Sequence, residues 1–137
     1  ALGADGSAYV TNTRGPQIFR LKPGAKALET WKADPLFEIE PKEAGLDGIA
    51  FGKDGNLYVN TFTKAKLFRI DVKDGEAGKV TALKPSRAVV LTDALRPLGD
   101  GSFVMAEGGG SVNRVTFEGD TAKIETIKGG VAAGVTG

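Results

Sequence analysis

The chain has no cysteine and no histidine among its 137 residues. The first absence excludes disulfides, thiolate nucleophiles and Cys-ligated zinc. The second removes the usual general base of a Ser or Cys hydrolase and the commonest transition-metal ligand. Any chemistry must therefore run on carboxylates, amides, Lys, Arg, Tyr or hydroxyls. Charge imbalance is missing too: 18 Lys and Arg meet 17 Asp and Glu, for a net charge of +1. That balance leaves no electrostatic footprint for nucleic acid or an anionic membrane, and no apolar run approaches the length of a membrane span. Neither nucleic acid nor membrane is expected as a partner. The lack of cysteine fits an extracytoplasmic bacterial protein, periplasmic or secreted, and it fits many cytosolic ones as well.

What is present is repetition. Twenty glycines against six prolines suit a turn-rich β protein. The stretch 45–59 (GLDGIAFGKDGNLYV) reads as an apolar strand, an Asp-Gly turn and an alternating strand, which is a strong hairpin signal. Residues 93–104 line up with 47–58 at a constant shift of 46, and residues 1–10 line up with 50–59 at a shift of 49. A third element follows in each unit (IFRL at 18–21, LFRI at 67–70, VNRV at 112–115), and a fourth closes it at 27–31, 79–83 and 123–127. Four short strands repeating every 40–50 residues or so are the signature of propeller blades.

The expected fold is all-β, half of a six-bladed β-propeller built from three four-stranded antiparallel blades. Blade one spans 1–44 with a truncated first strand, blade two 45–91 and blade three 92–130, and 131–137 starts the next blade. Propellers close with about four to eight blades, so three leave both ends open. A second half-propeller is the expected partner, as an identical copy around a two-fold axis or as the remainder of a longer parent chain. The link 32–44 (KADPLFEIEPKEA) carries Pro35 and Pro41 and reads as an extended connection, with Leu36, Phe37 and Ile39 tucked against the blade; a lid or binding loop is the alternative. The link 84–91 is apolar at Ala88, Val89, Val90 and Leu91 and is expected to pack inward.

Strand alternation assigns the faces. The start of strand one and the end of strand two of each blade meet on one face, and strand one lines the central channel. Asp47 and Asp93 fall there, with Asn12, Thr61 and Glu107 at the ends of second strands and Thr11, Asn60 and Ala106 just before them. Asn12, Asn60 and Thr61 are candidate channel-face binding residues. Asp47, Asp93 and Glu107 are candidate metal ligands, since converging oxygens suit one hard divalent cation such as calcium; a small-molecule ligand is the other occupant such a mouth accommodates. Beside this stand plainer readings: Asp47 before Gly48 as a turn residue bonding nearby amides, and Glu107 as a solvated side chain. Gly108 to Gly110 lack the helix and Lys-Ser/Thr of a phosphate loop, and no organic cofactor is expected. Arg20, Arg69 and Arg114 recur at one strand-three position and read as a repeated surface or inter-blade bond. Trp31, Phe51, Tyr58 and Phe68 read as core or blade-interface aromatics, with Tyr9 in the role of Tyr58.

The run 46–51 (LDGIAF) followed by 53–59 (KDGNLYV) resembles the blade motif of the senescence-marker-protein/gluconolactonase-like propellers, and is similar to the looser NHL-type repeat. The run 93–101 and then 105–109 (MAEGG) resembles the neighbouring blade of that family. The resemblance covers nearly the whole chain and implies a six-bladed propeller. It also implies a divalent-metal-dependent lactone or ester hydrolase working at the central channel. Asp47 carries over as both ligand and proposed catalytic base, because its Asp-Gly matches the family's Pro-Asp-Gly, with Leu46 in place of the Pro. The family's Asn-Gly ligand motif is absent from all three units, and its early Glu has no match. A non-catalytic propeller that binds a small ligand or a protein partner is therefore the alternative function.

Overall fold

A computed structural model of the chain describes residues 1–129. The stretch 131–137, expected to start another blade, lies outside the described residues. Eleven strands and one short 3-10 turn make up the described architecture. Blade one holds β1 (Ala8–Thr11), β2 (Gln17–Leu21) and β3 (Glu29–Ala33). Blade two holds β4 (Leu46–Phe51), β5 (Leu57–Thr61), β6 (Leu67–Lys73) and β7 (Glu76–Pro85). Blade three holds β8 (Thr92–Pro97), β9 (Phe103–Glu107), β10 (Ser111–Glu118) and β11 (Thr121–Lys128). Each blade is an antiparallel meander, so the chain is a partial β-propeller. In blade one the place of a first strand is held by a single bridge, Leu2 to Ala8.

The repeated Asp-Gly turn joins strands one and two of each blade, and its chemistry is local. Asp5, Asp54 and Asp100 each accept the backbone N–H two residues on, from Ser7, Asn56 and Ser102, at 2.8–3.0 Å. The glycine after each Asp takes a positive φ (86° at Gly6, 81° at Gly55, 95° at Gly101), a conformation that L side chains avoid.

Two apolar layers lie between the three blades. The layer between blades one and two contains Tyr9, Ile18, Trp31, Phe37, Leu57, Val59, Phe68 and Ile70. The layer between blades two and three contains Tyr58, Leu67, Leu95, Phe103, Met105 and Val115. Alternation along β5 sends Leu57 and Val59 to one layer and Tyr58 to the other, as a strand buried on both faces requires. Tyr9 meets Trp31 and Phe51 edge-on at 4.9 and 5.2 Å, and Tyr58 stacks on Phe117 at 4.2 Å, so the two tyrosines do share one role.

Two links differ from expectation. Stretch 32–44 opens with the end of β3 and then a 3-10 turn over Pro35–Phe37, because Asp34 caps it and Pro35 sits at the first turn position, where no N–H is needed. Phe37 is fully buried against Phe68 at 5.4 Å, while Leu36 points to solvent. In the link 84–91 only Val89 packs on the core; Val90 and Leu91 are exposed. Ala88 is exposed as well, so three of the four apolar side chains of the run face solvent, and Leu91 turns through a positive φ of 46°.

Candidate functional site

The candidate site starts from two bulges. β4 slips register between Leu46 and Ile49 against β5, and β8 slips in the same place, between Thr92 and Leu95 against β9. Bulges re-aim side chains, and these two contain Asp47-Gly48 and Asp93-Ala94. The first strands lie so close there that a Cβ on Gly48 would stand 2.5 Å from the Asp93 carbonyl oxygen and 3.0 Å from the Asn60 side chain. Only glycine admits this approach. It brings the Asp47 and Asp93 carboxyls into mutual contact. Burial first, then the Asp93 charge and a hydrogen bond shared with it, push the Asp47 carboxyl up to about 6.

Asn60 holds the two bulges together. It is fully buried; its Oδ1 accepts from the Gly48 amide at 2.8 Å and its Nδ2 donates to the Asp93 carbonyl at 2.6 Å. Thr11, at the matching position of blade one, donates its hydroxyl to the Asp47 carbonyl at 2.9 Å. Each of these second strands thus ties the first strand of the following blade through a backbone oxygen. In blade three this position is Ala106, which has no polar side chain.

The next register position closes the middle hairpin of its own blade. Asn12 donates to Gln17 Oε1 at 2.8 Å and accepts from the Arg14 amide at 3.0 Å. Thr61 Oγ1 accepts from the Lys66 amide at 3.0 Å. Glu107 accepts from Asn113 Nδ2 at 2.9 Å and from the Val90 amide at 2.9 Å, and it pairs with Arg87 at 2.9 Å. Burial would raise the Glu107 carboxyl, yet the hydrogen bonds from Arg87, Asn113 and Val90 outweigh it and hold the group below the usual carboxylate range.

The structure therefore brings Asp47 and Asp93 together and commits Glu107 to a separate ion-pair network. Among the described residues, no three His, Cys, Asp or Glu side chains converge as a metal site. Calcium takes 6–8 oxygens, and the amide of Asn60 is fully engaged with backbone. The described residues do not by themselves fit a calcium shell. Thr11, Gly48, Arg87 and Asn113 were not singled out from sequence as site residues. Thr11 and Asn60 share a repeat position, which was the available signal; Arg87 has no counterpart in the other units. A cleft of about 440 Å³ lies at the opposite end of β4, between Leu2, Tyr9, Phe51 and Val72. Its Asp5 carboxylate is turned onto Ser7, and Asp74 is the other acid of its lining.

No protein-family model matches the sequence, and no curated protein matches it at a significant level. Solved structures do. Virginiamycin B lyase from Staphylococcus aureus superposes with a TM-score of 0.67 at 20% identity, over 93% of this chain and 40% of that chain. The major Malassezia sympodialis allergen Mala s 1 gives 0.69 at 21% identity, over 93% and 40%. A putative gluconolactonase gives 0.67 at 20%, over 93% and 46%. This chain spans less than half the length of these structures. The likeness establishes the fold: these residues form part of a β-propeller of the kind that gluconolactonase-like and streptogramin B lyase proteins share.

Proposed function

We propose that this chain forms part of a propeller that binds a small polar ligand across its channel face, with the Asp47–Asp93 pair as the recognition element. The carrying observation is the pair of carboxyls placed by equivalent bulges on adjacent first strands, with Asp47 pushed up to about 6. Such a pair accepts hydrogen bonds from hydroxyl or ammonium groups once both members are ionised, and shares a proton below that point. Titrating the protein calorimetrically with a polyol lactone tests this. Binding at pH 7.5 that weakens at least tenfold in Asp47→Asn supports it, and no binding to the wild type refutes it.

The hydrolase reading rests on the same carboxyl. A group that titrates near 6 is matched to accept a proton from water attacking a lactone or ester carbonyl. The reaction would add water across the acyl C–O bond, with Asp47 taking the proton and returning it to the leaving alkoxide. No step is assigned to a metal, since the donor set here does not fit one. Lactone hydrolysis in a pH-stat that follows a pKa near 6 and disappears in Asp47→Asn supports catalysis. Binding without turnover supports the non-catalytic form.

A further inference from the structure

The strand-three arginines of blades one and two form a latch. Arg20 Nη1 donates at 2.9 Å to the carbonyl of Gly75, in the outer turn of blade two, and Trp31 Nε1 reaches the same oxygen at 3.0 Å. Arg69 Nη1 donates at 2.7 Å to the carbonyl of Gly119, in the outer turn of blade three. An acid follows each receiving glycine: Glu76 lies 3.8 Å from Arg20, and Asp120 lies 3.2 Å from Arg69. Both blade-to-blade interfaces thus use one rule: a guanidinium from one blade, and a Gly-acid turn from the next.

Arg114 occupies the same register on blade three, on β10 opposite Glu125 as Arg20 on β2 is opposite Glu29. Its described contact is an exposed pairing with Asp100 of its own blade at 3.3 Å. Val104 and Val112 flank it on the same side of the sheet, at the positions that Tyr58 and Leu67 hold in the interface before it. The surface continues an established interface.

Blade one does not match this surface. Gly75 lies six residues past Arg69 and Gly119 five past Arg114, whereas Gly24 lies four past Arg20. At about 3.3 Å per strand residue, its turn would fall roughly 3–7 Å short of the latch. Ala25 replaces the acid there, and Lys26 adds a like charge.

We propose that the outward side of blade three docks a further propeller blade whose outer turn carries Gly followed by Asp or Glu, five or six residues past its strand-three position. A second copy of this chain, presenting blade one, is not that occupant. The latch specifies the partner by hairpin length and by one carboxylate.

The test appends a second copy of residues 45–91, which contains the Gly75-Glu76 turn, after Gly137 and compares Arg114→Ala in the extended and original chains. Arg69→Ala serves as the internal reference for a formed latch. In the extended chain, Arg114→Ala should lower the folding equilibrium constant at least tenfold, as Arg69→Ala does, and in the original chain less than threefold. Replacing the appended turn's Gly-Glu by Ala-Lys should abolish the difference. Equal effects of Arg114→Ala in both chains would overturn the proposal, as would an inert Arg69→Ala. Sedimentation equilibrium supplies the remaining outcome: a dimer of the original chain that Arg114→Ala dissolves would identify a second copy as the occupant and sink the assignment.

Discussion

Replacing Asn60 by Ala separates a structural tie from a ligand contact. The side chain is fully buried and makes two hydrogen bonds, one received from the Gly48 amide and one given to the Asp93 carbonyl. Truncation leaves both backbone groups without that partner inside the interface between blades two and three. Each orphaned group costs about 1–3 kcal/mol, and the two share one site, so the expected loss is about 2–4 kcal/mol. For a chain of this size, where 1 kcal/mol moves the midpoint by roughly 3–4 °C, Tm should fall by about 6–15 °C. Urea unfolding followed by far-UV circular dichroism reads it across the whole sheet, whereas the single tryptophan, Trp31, lies in the neighbouring interface and reports on blade one. Asn60→Asp keeps the acceptor for Gly48 but removes the donor and adds an acid beside Asp47 and Asp93, so it should be more destabilising at pH 8 than at pH 5. A loss under about 0.5 kcal/mol for Asn60→Ala, well below the cost of even one orphaned buried group, would refute the reasoning. Ligand binding lost at unchanged stability would restore Asn60 to the binding role expected from its strand position.

Gly48→Ala should destabilise by several kcal/mol, of order 2–4, because the added methyl meets a backbone oxygen that cannot move aside; a thermal melt within 2 °C or so of wild type, under about 1 kcal/mol, would contradict the close approach. The raised Asp47 carboxyl favours folding while it is protonated, so its contribution is fully present below its ordinary value of 3.8 and is lost as pH rises through about 6. Asp93→Asn should remove the neighbouring charge, shift Asp47 downward in a carboxyl ¹³C titration and flatten that stretch of the stability profile; an unmoved Asp47 would show that burial alone sets it. Glu107 has the opposite sign: its lowered carboxyl stabilises above its ordinary value of 4.5 and the benefit disappears as pH falls through the depressed value. Glu107→Gln should therefore cost stability at pH 7, about 1–2 kcal/mol for a hydrogen-bonded pair with a half-exposed Arg87, and erase the acid-side loss.

The blades were legible because their signals are local and recur. Asp5, Asp54 and Asp100 each specify their turn from within three residues, and the pattern at Arg20, Arg69 and Arg114 pointed to a repeated surface or inter-blade bond, of which Arg20 and Arg69 make the inter-blade kind. The site was legible in part. Asp47 and Asp93 share a repeat position, so sequence alone put both on one face, but their contact depends on bulges that alter the simple period-2 reading of a strand. Glu107 could not be separated from them, because the group that claims it, Arg87, lies 20 residues earlier in a link without a repeat counterpart. For Asn60, a candidate channel-face binding residue from its strand position, the tie was hidden for a similar reason: its two partners, Gly48 and Asp93, belong to different blades.

The three blades are unequally joined. β7 runs beside β11 in parallel, with Thr121 opposite Lys84 and Ala122 opposite Pro85, so blades two and three merge into one eight-stranded sheet, while blade one remains a separate three-stranded sheet. The Lys84 and Ser86 amides seal that rim through bonds of 2.8 Å to the Asp120 and Ala122 carbonyls. Blade one shares no such strand ladder with its neighbour; side-chain ties, the Gly45 amide on the Thr13 carbonyl at 2.8 Å and the apolar layer hold it. Amide hydrogen exchange would consequently divide along this line, with β4 to β11 opening together at high free energy and β1 to β3 breathing ahead of them as a distinct cooperative unit. A mechanical pull on the two ends would peel the chain from its amino-terminal side first.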